Sequence, residues 1–81
     1  MFETTIRHEA PVTFLRGLQA RCRWATAQLN TDEFGYGDAQ ALAYCQGRID
    51  FENGRPGNDV PPLLADVVDL SRAWREGWMD A

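Results

Sequence analysis

Residues 54 to 62 read GRPGNDVPP, with three prolines and two glycines in nine positions. Such a run cannot be helical throughout, because proline lacks a backbone donor and its ring clashes inside a helix. Any helix before it ends near Asn53-Gly54, where glycine suits the left-handed C-terminal stop. A new one begins at Pro61-Pro62, since a first helical turn tolerates proline. An earlier break, NTDEFGYGD at 30 to 38, is polar and carries two glycines. It reads as a linker that ends in Asp38, whose carboxylate can cap the next helix. The chain is therefore cut into three short rods that bury one another. The expectation is a single all-α domain with helices over about 11–29, 39–53 and 62–79, preceded by a lead-in at 1–10 without periodicity.

Apolar spacing orients each rod. In the first, Leu15, Leu18, Cys22, Ala25 and Leu29 recur at three- and four-residue steps and share one face, which Phe14 widens. In the second, Ala41, Leu42, Cys45 and Ile49 point inward, with Tyr44 and Phe51 beside them. In the third the stripe is Leu63, Val67, Leu70, Trp74 and Trp78. On this reading Cys22 and Cys45 are buried free thiols, because two cysteines within apolar stripes make neither a disulfide framework nor a zinc site.

At 81 residues a core supplies only a few kcal/mol, so large aromatic side chains count heavily. Trp74 and Trp78 are read as structural for that reason. Gly77, directly before Trp78, is read as admitting another backbone closely, which offsets its helix penalty of roughly 1 kcal/mol. Gly47 lies inside the second helix, and a ring from the third helix laid across it explains that glycine. Trp24 falls off the first stripe. It has two readings of similar weight: a rim residue that anchors a partner, or a ring buried against the loop at 31–37 beside Phe34 and Tyr36.

Charge restricts the partners. Residues 1–30 carry four arginines against two acids, a net +2, whereas residues 31–81 carry four arginines against ten acids, a net −6. All eight cations are arginine. An acidic segment repels phosphate backbones, so direct nucleic-acid binding through it is disfavoured and a basic partner is the natural complement. The partner-binding candidates are Asp50, Glu52, Asp59, Asp66, Asp69 and Glu76, together with Trp24.

Catalysis has little to draw on. The one histidine, His8, lies in the lead-in, and neither cysteine has a histidine near it in sequence. The acid pairs Asp50/Glu52 and Asp66/Asp69 read as solvated or arginine-paired helix faces. No enzyme activity, cofactor or metal is expected. There is no run of 18 apolar residues, and MFETTIRHE carries acids where a signal peptide needs an apolar segment. The reading is a cytoplasmic protein without a membrane partner. A homodimer through the first helix stays open, since 3-4 spacing suits a helical pair, although the same stripe is needed to cover the other two rods.

YCQGRIDFENGRPGNDVPP followed by AWREGW resembles the ribosome modulation factor family and its short relatives in bacteria and mobile elements. The likeness covers residues 44–80. It rests on a glycine-punctuated helix, an Asn-Pro loop element and a W-x-x-G-W pattern, matched here by Trp74, Gly77 and Trp78. Asn58 departs from the pattern, with Asp59-Val60 standing before Pro61. The resemblance implies a helix-loop-helix module that works by binding a large assembly, in that family the ribosome, and this chain's acidic segment departs from the basic character of RNA-contacting members.

Two functions follow. One is a small acidic inhibitor or regulator, of the kind that mobile elements and phages use against host machinery, anti-CRISPR proteins among them, acting by occupying a basic surface. The other is a ribosome-associated translation modulator binding ribosomal RNA or protein, for which Arg48, Arg55, Arg72 and Arg75 have to form one basic patch.

Overall fold

A computed structural model describes residues 15–81. The described residues form an all-α fold of four helices: α1 (Leu18–Asn30), α2 (Glu33–Glu52), the single turn α3 (Pro62–Ala65) and α4 (Val68–Asp80). The central rod is α2, against which both α1 and α4 lean, while α3 touches α1 and α4. The expected start at Pro11, the flanking Phe14 and the lead-in with His8 lie outside the described residues.

Among the described residues the first helix begins at Leu18, after a turn at residues 15–17. Gly17 adopts a left-handed conformation at φ 83° and caps α1. The side chain of Leu64 packs onto it so closely that a Cβ there would sit 2.8 Å from the leucine Cγ. Only glycine meets both demands.

The second helix begins earlier, six residues before the expected position. Its N-cap is Asp32, not Asp38, with the Asp32 carboxylate accepting from the Phe34 amide at 3.1 Å. The DEFGYGD stretch is helical despite its glycines because packing overrides propensity. Gly35 is buried, and a Cβ there would meet Ala27 Cβ and Arg23 Nη1, each at 2.7 Å. At the other end the expected stop holds. The Gly54 amide donates to Phe51 O and the Arg55 amide to Asp50 O, with Gly54 at φ 83°, which is a Schellman closure. The third expected helix is interrupted at Asp66 and Val67, which separate α3 from α4.

The stripes expected to be core on the first two rods face outward. Leu15, Leu18, Cys22, Ala25 and Leu29 are exposed, as are Ala41, Cys45 and Ile49. Both cysteines are free and exposed, not buried. The interior uses small residues instead. Gly35, Ala39, Ala43 and Gly47 recur every fourth residue along α2 and meet Ala20 and Ala27 of α1 and Ala73 and Gly77 of α4. Leu64, Leu70 and Trp74 fill the space between. Close-packed alanine and glycine let the rods approach, and the large side chains seal the ends of the contact. Burying an indole removes about 200 Å2 from water, on the order of 5 kcal/mol before ordering costs, so Trp74 is the largest apolar contribution.

Backbone, not a ring, lies over Gly47. A Cβ at Gly47 would run into the carbonyl of Trp74 and come within 2.8 Å of the Trp78 nitrogen. Reciprocally, a Cβ at Gly77 would run into the carbonyl of Tyr44. Both glycines therefore admit the neighbouring helix directly, and the expectation of an indole across Gly47 is corrected to a peptide group.

Candidate functional site

The end of the molecule where α2 stops is organised around Asp50. Its side chain is 1% exposed. Oδ2 accepts from Arg16 Nη1 at 2.7 Å and from Trp74 Nε1 at 2.8 Å, while Oδ1 accepts from Gln46 Nε2 at 2.9 Å. A buried carboxylate survives only when it is charge-paired and hydrogen-bonded, and here both oxygens are satisfied. The node ties the entry to α1, the last turns of α2 and the middle of α4 into one body. Asp50 cannot meet a partner, which corrects its place among the partner-binding candidates.

Arg16 also reaches Asp59, donating from Nη2 to the backbone oxygen at 3.4 Å and to Oδ2 at 3.5 Å. Arg55 donates to the same carboxylate at 3.0 Å. Asp59 is thus consumed in bracing the 54–61 loop. Over that loop lies Trp78, which donates from Nε1 to Arg55 O at 2.7 Å. Its ring covers Gly57, where a Cβ would stand 3.0 Å from an indole carbon. The Phe51 ring meets it edge-on at 5.2 Å. Trp78 is half-buried and Phe51 is exposed, so this aromatic pair shows an apolar surface to solvent.

The other candidates divide by ion pairing. Asp66 is paired with Arg21, and Asp69 with Arg72 at 3.4 Å. Arg23 bridges Asp32 at 3.1 Å and Asp38 at 3.4 Å. The guanidinium of Arg21 holds the Asp66 carboxyl below the usual carboxylate range, and that of Arg23 does the same for Asp32. Among the described residues the acids left without an arginine partner are Glu33, Glu52, Glu76 and Asp80. Three of these four flank the aromatic pair in sequence: Glu52 follows Phe51, and Glu76 and Asp80 bracket Trp78.

No family model, curated protein or solved structure matches this chain.

Asp80 has one further contact, accepting from the Tyr44 hydroxyl at 2.7 Å. This hydrogen bond holds the phenol pKa above its ordinary value, with nearby Arg48 opposing the shift. Arg48 and Arg75 are the cations without an ion pair among the described residues, whereas Arg55 and Arg72 are engaged by Asp59 and Asp69. Trp24 is half-buried and meets Tyr36 edge-on at 4.6 Å. That packing follows the second of its two readings, a ring covered by residues 31–37, except that those residues belong to a helix.

Sequence reasoning separated the acids poorly, because pairing depends on which rods adjoin. Phe51 was visible as an aromatic beside the second stripe, but nothing in the spacing marked it as the partner of Trp78. No helix among the described residues is long and apolar enough to cross a membrane.

Proposed function

We propose that this protein is a non-enzymatic regulator that acts by occupying a basic surface of a protein, and that it binds through the end of the α2–α4 pair. The observation that carries this reading is the half-exposed Phe51–Trp78 pair, with Glu52, Glu76 and Asp80 within two residues of it in sequence and neutralised by no arginine among the described residues. An edge-on aromatic pair open to solvent is the composition of an interface anchor, and unpaired acids on the same two helices suit a basic partner. Asp59, Asp66 and Asp69 serve the fold through their arginines, so the acidic contact is narrower than overall charge implies. Mobile-element proteins that disarm host factors fit this description.

The test is capture of partners from the native host with a tagged chain, followed by titration of the recovered complex with salt. Binding through this end weakens from 50 to 300 mM salt as charge steering is screened. It is lost in Phe51→Ala and reduced in a Glu52→Gln/Glu76→Gln double variant. A complex indifferent to salt and to all three substitutions refutes the reading.

A second reading is a ribosome-associated modulator. In its favour, the glycine and tryptophan pattern that resembles the ribosome modulation factor family supplies the α2–α4 crossing, and Arg48 and Arg75 are exposed on those helices. Phosphate contacts would rest on these two, with Arg55 and Arg72 already engaged. Co-sedimentation with ribosomal subunits at low salt, abolished by Arg48→Glu/Arg75→Glu, is the outcome that reading requires.

A further inference from the structure

We infer that the outer face of the α1–α2 hairpin is the surface through which two copies of this chain pair. On α1, Leu18, Cys22, Ala25 and Leu29 are all exposed, Leu29 at 85% and Leu18 at 40%, and Leu15 is exposed in the turn before it. They lie across the helix from Ala20 and Ala27, which are buried. The 4-3-4 spacing from Leu18 to Leu29 is that of a coiled-coil seam, a pattern whose complement is a second helix with the same repeat. Leu42, Cys45 and Ile49 of α2 continue the surface sideways. Two shallow depressions mark the line between the helices, one bordered by Leu15, Leu18 and Leu42, the other by Ala41, Leu42 and Cys45 with the paired Arg23 and Asp38.

Charge selects the occupant. On α1 the positions flanking the stripe are Gln19, Thr26 and Gln28, with Arg21 paired to Asp66 and Arg23 to Asp32 and Asp38, while on α2 the oppositely charged Arg48 and Glu52 stand one before and three after Ile49. The chain carries a net charge of −4, yet this face has no excess of either sign. A strongly basic or acidic partner finds no complement here, whereas a like copy meets no repulsion. The available area also fits. A face about 20 Å long and two helices, about 20 Å, wide offers on the order of 400 Å2, roughly half of the 800 Å2 per partner of standard interfaces, which corresponds to a weak, transient dimer. Stacked face to face, two hairpins form a four-helix layer and leave α4 with its aromatic pair outside the contact.

Sedimentation equilibrium over about 1 to 500 μM tests the inference. The expected result is a rise from the 9.2 kDa chain mass to twice that value. Leu18→Glu and Leu29→Glu, both at exposed positions, should abolish the rise while leaving the far-ultraviolet circular dichroism unchanged. Val68→Glu, on exposed α4 surface, should dimerise as the wild type does. A wild type monomeric across the whole range overturns the inference and gives the face to another occupant. A dimer that survives both leucine variants, or that Val68→Glu disrupts equally, also overturns it.

Discussion

Gly47 and Gly77 are related by a reciprocal contact: each faces the carbonyl of the residue three positions before the other, Trp74 for Gly47 and Tyr44 for Gly77. The two segments are YCQG and WREG, an aromatic, two spacers and a glycine in each case. At this crossing α2 and α4 meet backbone to backbone, in the manner of close helix pairs that use Cα–H donors against carbonyls. The aromatic three positions earlier is directed by the same turn, Trp74 inward to Asp50 and Tyr44 outward to Asp80. The crossing thereby places the rings and the loop of the proposed binding end.

The buried node predicts a large asymmetry between neighbouring acids. Asp50→Ala leaves Arg16 Nη1 and the Trp74 N–H without their acceptor, Asp59 still holding Nη2, at a cost of about 3–5 kcal/mol. Glu52→Gln, two residues on and exposed, should change stability by less than about 0.5 kcal/mol. Urea denaturation followed by tryptophan fluorescence measures both, and similar midpoints for the two variants would remove the node from the account.

Trp78 holds the loop by one hydrogen bond and by ring contact with Gly57. Trp78→Phe retains most of the apolar contact and strands Arg55 O at a half-buried site. The expected loss is about 1 kcal/mol, with proteolysis accelerating first within residues 54–60. Uniform protection of that loop in the variant would argue that the indole N–H is dispensable.

Acid sensitivity follows from the depressed carboxyls. Asp32 and Asp66 have folded-state pKa values below their unfolded ones, held there first by hydrogen bonds from Arg23 and Arg21. Their contribution is fully present above an unfolded value of about 3.9. It is lost as pH falls through the folded values. Tyr44 has the opposite sign: its raised pKa makes its contribution complete below about 10 and lost as pH climbs through the folded value. Thermal melts from pH 2 to 7 should show a shallower acid decline in Asp32→Asn and Asp66→Asn than in wild type. An unaltered slope in both contradicts the pairing.

The all-α class, the stop at Asn53-Gly54 and the inward direction of Leu70 and Trp74 were legible in the sequence because large residues and a glycine cap announce them. The inner faces of α1 and α2 were not. Leucine and cysteine at helical spacing outweigh alanine and glycine in any apolar pattern, yet the alanines and glycines are what face inward. The signal that was present, Gly35, Ala39, Ala43 and Gly47 at strict fourfold spacing, marks close approach and not hydrophobicity, so an apolar-face reading passes over it. The start of α2 was hidden for the same reason, since a glycine-rich stretch reads as a linker until the side chains that occupy its space are known. The aromatic pair at Phe51 and Trp78 joins residues from separate helices and is visible only once those helices are docked.

Backbone contact at the α2–α4 crossing holds this fold together, and alanine at two glycines of one helix tests it directly. Gly37 has nothing within 4 Å of a built Cβ, so Gly37→Ala should raise the melting temperature through helix propensity, by up to roughly 1 kcal/mol. Gly47→Ala gains the same propensity but forces the Trp74 carbonyl away, for a net loss of about 2 kcal/mol and a fall in Tm of roughly 10 °C. Opposite signs at the two positions are the predicted result, and a Gly47→Ala variant as stable as the wild type or more so would contradict it.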